Sequence, residues 1–338
     1  MLKRFYKEIR DFIKLEYKSI LFLIILYIIL NYPVNYYIIV GGGTDNINSR
    51  ISVENKYKSK GSFNLSYVEE LKGTILTYAL SYIIPSYERE NADDYKYTTD
   101  ESIEDIEFRG DLDLKVSNEN SKYWAYSLAK KEVTKKSSKI YVIFTSKDYD
   151  IPLKVGDEIL SIDDTSFNNI SEFQELIQTK NENDQVVVKV IRGNKEKELT
   201  CTIHKNEDRL VLGIGIEQYN IYETNPNIKI KFNKRESGSS GGLITTLEIY
   251  NQLTKEDLTK GRKIVGTGTI ELDGTIGQIG GIEHKLLGAE KAKADLFLVP
   301  SGQNYEDALK YKKDKKLKTK IVEIKTIEEA INYLKNSN

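Results

Sequence analysis

Two short stretches hold the residue types that can do covalent chemistry: Ser237-Gly238-Ser239-Ser240-Gly241-Gly242-Leu243 and Gly280-Gly281-Ile282-Glu283-His284-Lys285-Leu286-Leu287. A serine hydroxyl is a poor nucleophile until a base takes its proton, and a lysine serves as that base when burial keeps it neutral. Gly238, Gly241 and Gly242 let the backbone turn sharply and let a substrate carbonyl come close. An apolar helix starting near Gly241 would aim free N–H groups and its positive dipole end at a developing oxyanion. The string Gly238-Ser239-Ser240-Gly241-Gly242 also fits G-x-S-x-G. Alone, a Gly/Ser-rich segment reads as a plain loop and a lysine as surface. If the two segments meet in space, the chemistry is that of a Ser-Lys hydrolase.

The choice of base is narrow, because the chain has two histidines. His204 falls in a strand-rich segment well before the serine. His284 precedes Lys285 on the same expected helix and points about 100° away from it. Lys285 lies beside the apolar face formed by Ile282, Leu286, Leu287 and Ala289, where desolvation would depress its pKa.

These segments need elements to position them, and 338 residues are enough for two or more domains with their own cores. Lysine plus arginine (50) nearly balance aspartate plus glutamate (51), so no global charge drives the chain onto nucleic acid. The single cysteine, Cys201, excludes an intramolecular disulfide and reads as a small buried strand residue. The main compositional break is the apolar run Ile20 to Val40. It approaches the roughly 20 residues a bilayer requires only by including Asn31, Pro33 and Asn35. A helix from about Lys18 to Pro33 is expected, leaving the lipid near Tyr36-Tyr37. Lys3, Arg4, Lys7, Arg10, Lys14 and Lys18 outnumber the nearby acids and would hold the N-terminus in the cytoplasm. A cleaved signal peptide is the rival reading, but no small-x-small site closely follows the run.

Beyond Gly41-Gly42-Gly43, strands are expected at Ser49–Glu54 and Gly61–Tyr67, a helix at Glu69–Ile84, and a polar loop at Glu88–Asp105. A second helix is expected at Ser121–Lys136, with Trp124, Leu128 and Val133 partly on one face. Lys139–Phe144 reads as a strand and Ser171–Gln178 as a helix capped by Ser171. Val186–Ile191 and Glu198–His204 pair across Arg192-Gly193-Asn194. Strands then follow at Leu210–Glu217, Ile228–Asn233 and Ile264–Glu271, with a type I′ turn at Asp273-Gly274. A helix (Ile282–Ala294), strand (Leu296–Val299), helix (Tyr305–Lys312), strand (Lys320–Ile324) and helix (Ile327–Lys335) complete an α/β domain.

Leu153-Lys154-Val155-Gly156-Asp157-Glu158-Ile159-Leu160-Ser161-Ile162-Asp163, in its strand, helix and hairpin context, resembles a PDZ domain of the bacterial protease type over about Ser137–Lys205. Such a module captures an extended peptide at a sheet edge. From Leu210 onward the chain resembles the proteolytic domain of the Lon family, which carries its serine in Gly-Pro-Ser-Ala-Gly and its lysine in Gly-Gly-Leu-Lys-Glu-Lys-Leu-Leu. The resemblance places the nucleophile on Ser240 and the base on Lys285, 45 residues apart. It maps the family's Thr-Gly-Glu-Ile strand onto Thr267-Gly268-Thr269-Ile270 and implies that Thr267 supports the lysine. Ala294-Asp295-Leu296-Phe297-Leu298-Val299-Pro300 fits the family's following strand. Two departures stand out: Ser239 replaces the proline and Gly241 the alanine, which loosens the loop and leaves Ser239 as a neighbouring hydroxyl.

The chain as a whole is similar to the membrane-anchored PDZ-Lon-like proteases. The expected fold is a multidomain α/β (α+β) chain. Its parts are a cytoplasmic tail (1–18), a transmembrane anchor (19–40), an extracytoplasmic region packing with the PDZ-like domain (41–136), that domain (137–206) and the proteolytic domain (207–338). No G-x-x-x-x-G-K-[ST] string and no metal-spaced cluster occurs, so no cofactor or metal is expected. The expected activity is ATP-independent serine endopeptidase action on extracytoplasmic proteins or peptides. Homo-oligomer formation is implied by the resemblance alone. Two other readings use the same residues: a catalytically decayed, anchored peptide-binding protein, and an esterase using His284.

Overall fold

A computed structural model of the chain describes residues 2–98, 101–233 and 236–337. The first helices and strands are α1 (Leu2–Leu30), β1 (Pro33–Asn46), β2 (Ile51–Val53), β3 (Ser62–Thr74), α2 (Ile75–Leu80), β4 (Glu88–Asn91), α3 (Ile103–Leu128) and β5 (Glu132–Thr145). Next come β6 (Glu158–Ile162), β7 (Thr165–Ser166), α4 (Ile170–Gln178), β8 (Gln185–Arg192), β9 (Lys195–Thr202), β10 (His204–Asn206), β11 (Arg209–Val211), β12 (Ile214–Asn225) and β13 (Ile228–Ile230). The last are α5 (Gly242–Leu253), β14 (Lys263–Gly266), α6 (Ile282–Lys291), β15 (Leu296–Pro300), α7 (Gln303–Lys315), β16 (Lys320–Ile324) and α8 (Ile327–Asn336). They form two compact units: residues 1–41 with 68–95, and residues 42–67 with 96–338.

In the smaller unit, α1 stops at Leu30 and an extended strand takes over at Pro33. The helix expected from about Lys18 to Pro33 therefore ends at Leu30, and residues 33–40 of the expected 19–40 anchor are strand. Pro33 has no N–H to continue a helix, and the β-branched and aromatic run behind it favours a strand. The uninterrupted apolar stretch Ile20–Leu30 is eleven residues, about 16 Å of helix against a hydrocarbon core of about 30 Å. No helix among the described residues is long and apolar enough to cross a membrane. Ile38 and Ile39 are buried, and Tyr36–Ile39 pair antiparallel with Glu88–Asn91 of β4. Leu21 to Ile25 on α1 are each 48–64% exposed.

The larger unit holds two cores. In the first, β16, β15, β14 and the Ser62–Leu65 part of β3 run parallel in that order. Alternation along the strands sends Ile264, Leu296 and Leu298 to one face, where α5 packs, and Val265, Phe297 and Val299 to the other, where Ile282, Leu286 and Ala289 of α6 meet them. α5 is buried along its whole length. The segment expected to pack with the PDZ-like domain thus supplies β3 to this sheet, and its α3 packs against α5.

The second core closes over the sheet β12-β5-β6-β8-β9. β8 and β9 turn through Gly193 and Asn194, both with positive φ (58° and 63°). α4 is capped by Asn169, whose side chain accepts from Glu172 N–H, rather than by Ser171. β12, expected to open the C-terminal domain, instead pairs along its length with β5 in this sheet.

Several expected elements differ. The helix expected at Glu69–Ile84 is a strand to Thr74, and α2 is short. The loop expected at Glu88–Asp105 contains β4 and the start of α3; Thr99 and Asp100 lie outside the described residues. α3 spans 26 residues from its capping box at Ser102 and Asp105 and ends at Leu128, where Ser121–Lys136 was expected as helix. The turn at Asp273-Gly274 has positive φ at Gly274 (86°) and not at Asp273, so it is not type I′.

Candidate active site

Ser240 sits where the segment after β13 turns into α5, and it is half-buried. The Ser239 and Ser240 carbonyls are both pinned. The Ser239 carbonyl accepts from Gly242 N–H (3.1 Å) and from the Ser117 hydroxyl of α3 (3.1 Å). The Ser240 carbonyl accepts from Gly268 N–H (2.8 Å) and the Thr267 hydroxyl (3.2 Å). A trans peptide points its N–H opposite to its carbonyl. Fixing these two carbonyls therefore fixes the direction of the Ser240 and Gly241 N–H groups. Among the described residues neither N–H has an acceptor. Two free, oriented donors beside a serine hydroxyl match what a tetrahedral oxyanion requires.

The glycines have distinct roles. Gly238 adopts φ 83°, a conformation that side chains disfavour, and its N–H bonds the Gly110 carbonyl of α3 (2.8 Å). A Cβ on Gly242 would lie 2.6 Å from Ile270 Cγ2 and 2.8 Å from Ser117 Oγ. Gly241 packs against Leu65 of β3.

Lys285 lies in the first turn of α6 and is 3% exposed. Gly281, at φ 65°, starts that helix, and the Lys285 carbonyl accepts from the hydroxyl of buried Ser66 (3.0 Å). Leu65, against Gly241, and Ser66, against Lys285, are consecutive on β3, and Leu65 pairs with Gly266, the residue before Thr267. Both chemical segments are therefore tied to the adjacent strands β3 and β14. Thr267 is fully buried, and its hydroxyl donates to the Ser240 carbonyl. Ser240 Oγ carries no hydrogen bond among the described residues. His284 is 9% exposed, with its carbonyl against Gly42; His204 stacks on Tyr149 (4.2 Å) in the other core.

Sequence reasoning missed the α3 contacts and the glycines of β1. A Cβ on Gly42 would lie 2.4 Å from the His284 carbonyl, and Gly288 meets the Gly43 backbone, so these glycines let strand and lysine helix close up. The Gly-Gly-Gly run was the available signal.

Beside Ser239 is a cavity of about 180 Å³ lined by Ser117, Asp113, Glu217 and Glu271, among others. Burial, reinforced by Asp113 and Glu271, pushes the Glu217 carboxyl up to about 7 from its ordinary 4.5. Between those values the folded protein keeps a proton that the unfolded chain has lost. This contribution therefore favours the fold at low pH, fades as pH rises from about 4.5 to 7, and is gone above. Glu217→Gln is expected to gain about 3 °C in Tm over the parent between pH 5 and pH 8. A Tm difference that stays constant over that range would contradict the assignment.

Comparison with protein families adds a decisive match. The Lon protease (S16) C-terminal proteolytic domain matches residues 225–336, and the PDZ domain family matches residues 132–203. The chain carries a PDZ domain followed by a Lon-type proteolytic domain. Among solved structures, the PDZ domain of the SdrC-like protein from Listeria monocytogenes is 27% identical over 25% of this chain and 92% of its own, with a TM-score of 0.22. That of the SdrC-like protein from Listeria innocua is 30% identical over 23% of this chain and 92% of its own, also with a TM-score of 0.22. No curated protein sequence matches the chain. The Lon-type domain is a serine-peptidase domain, and Ser240, Thr267 and Lys285 all fall within the matched residues.

Proposed function

We propose that the protein is an ATP-independent serine endopeptidase that uses Ser240 as nucleophile and Lys285 as general base. The observation that carries this reading is the pair of unbonded N–H groups at Ser240 and Gly241, fixed by their pinned carbonyls. Ser240 Oγ attacks the scissile carbonyl as its proton passes to the neutral Lys285 amine. The oxyanion accepts from the two N–H groups. As the tetrahedral adduct collapses, the Lys285 ammonium protonates the leaving amine and an ester to Ser240 remains. Lys285 then takes a proton from water, whose oxygen attacks that ester; as the acid leaves, the Lys285 ammonium returns the proton to Ser240 Oγ and regenerates the pair. Side-chain contacts of this kind often tighten only when substrate binds.

The PDZ domain would capture substrate by adding an extended segment to the edge strand β12 beside α4, which is tied to Gln218 at one end and Leu210 at the other. The exposed apolar side chains of α1 would attach the chain to a membrane surface. Assembly into a homo-oligomer belongs to the same reading. Ser239 and Gly241, which stand where the Lon family has proline and alanine, motivate the second reading, a peptide-binding protein without catalysis. Incubating the full chain with a peptide library and no nucleotide separates them. Internal cleavage without ATP is expected; peptide binding with no cleavage would favour the second reading.

A further inference from the structure

The nucleophile loop lacks the proline and alanine that stiffen it in the Lon family, yet its carbonyls are fixed, and one of the groups that fix them comes from outside the matched proteolytic domain. α3 presents Ser117, Asn120 and Ser121, three and four residues apart and therefore on one face. All three are at most 5% exposed. Ser117 donates to the Ser239 carbonyl (3.1 Å), Ser121 to the Gly242 carbonyl (3.1 Å), and Asn120 to the Ile270 carbonyl (3.0 Å). Ser239 and Gly242 bracket Ser240. Ile270 follows Thr267 and Gly268, which hold the Ser240 carbonyl. Farther along the helix, the Trp124 indole N–H donates to the Glu271 carbonyl (3.0 Å).

We propose that Ser117 is a positioning residue for catalysis. Its hydroxyl holds the Ser239 carbonyl so that the Ser240 N–H points at the oxyanion, with Asn120 and Ser121 fixing the flanking segments. The inference rests on the proposed Ser240 chemistry and extends it. In the ground state the contact only orders the loop; in the transition state it aims a donor at developing charge, so its removal lowers kcat more than it raises KM. A displacement of an ångström at such a donor lowers rate by up to about 10²-fold.

The test uses the full chain. Ser117→Ala is expected to lower kcat about 30-fold with KM within about twofold, and to slow acylation by a fluorophosphonate to a similar extent. Ser117→Cys keeps the shape with a weaker donor, so its kcat should fall between Ser117→Ala and the parent. Ile331→Val, a core change in α8, provides a loss of Tm without a loss of kcat. If Ser240→Ala remains active, the proposed chemistry itself fails. If Ser240→Ala is inactive while Ser117→Ala or Ser117→Cys keeps the parental kcat, or loses it only in step with Tm as Ile331→Val does, the positioning role is overturned.

Discussion

Alanine at Ser240 is expected to remove peptide hydrolysis, lowering kcat by about 10⁴-fold or more while substrate still binds. Methionine at Lys285 should do the same. It keeps a linear side chain in a site that is 3% exposed but has no amine to accept the proton. The two losses should not add, because nucleophile and base act in one step. His284→Ala should keep most of the activity, since that histidine is the base only in the esterase reading. The measurement is steady-state hydrolysis by full-length variants of matched Tm. Activity surviving in both Ser240→Ala and Lys285→Met would contradict the dyad.

Gly242→Ala is expected to lower both stability and activity for a steric reason. Its Cβ would lie 2.6 Å from Ile270 Cγ2, 2.7 Å from Ile270 N and 2.8 Å from Ser117 Oγ. Ile270 N belongs to the backbone and cannot swing aside, so the start of α5 must move and Ser240 with it. Overpacking of this kind costs about 1–3 kcal/mol, which corresponds to a Tm loss of about 1–4 °C, and the displaced loop should lose about 10²-fold in kcat. Gly280→Ala is the comparison. Nothing lies within 4 Å of its Cβ and its φ is not left-handed, so its Tm should stay within about 1 °C. Calorimetry and hydrolysis assays check both. Parental activity in Gly242→Ala would contradict the packing.

The C-terminal domain was legible because its alternating apolar strands and amphipathic helices obey one rule. Leu296–Pro300, Lys320–Ile324 and Ile327–Asn336 fall close to where their patterns place them. α3 was not legible, because its buried face is largely polar: Arg109, Ser117, Glu119, Asn120 and Ser121 leave no apolar period to read. Ser117 and Ser121 hold the nucleophile segment and Glu119 accepts from β12, so the helix hardest to read is the one that reaches the site. β3 failed for another reason. Glu69, Glu70, Leu71 and Lys72 favour helix, and sheet pairing overrides that preference. Ser240, Lys285 and Thr267 were visible as types in glycine settings. The carbonyl pinning was not, because it depends on Ser117, more than a hundred residues earlier in the chain.

The most direct test is to treat the full chain with a fluorophosphonate and identify the modified residue by peptide mass spectrometry. One adduct on Ser240 is expected, absent in Ser240→Ala and formed at least about 10²-fold more slowly in Lys285→Met. An adduct on Ser239, or a labelling rate unchanged by Lys285→Met, would contradict the Ser240–Lys285 dyad.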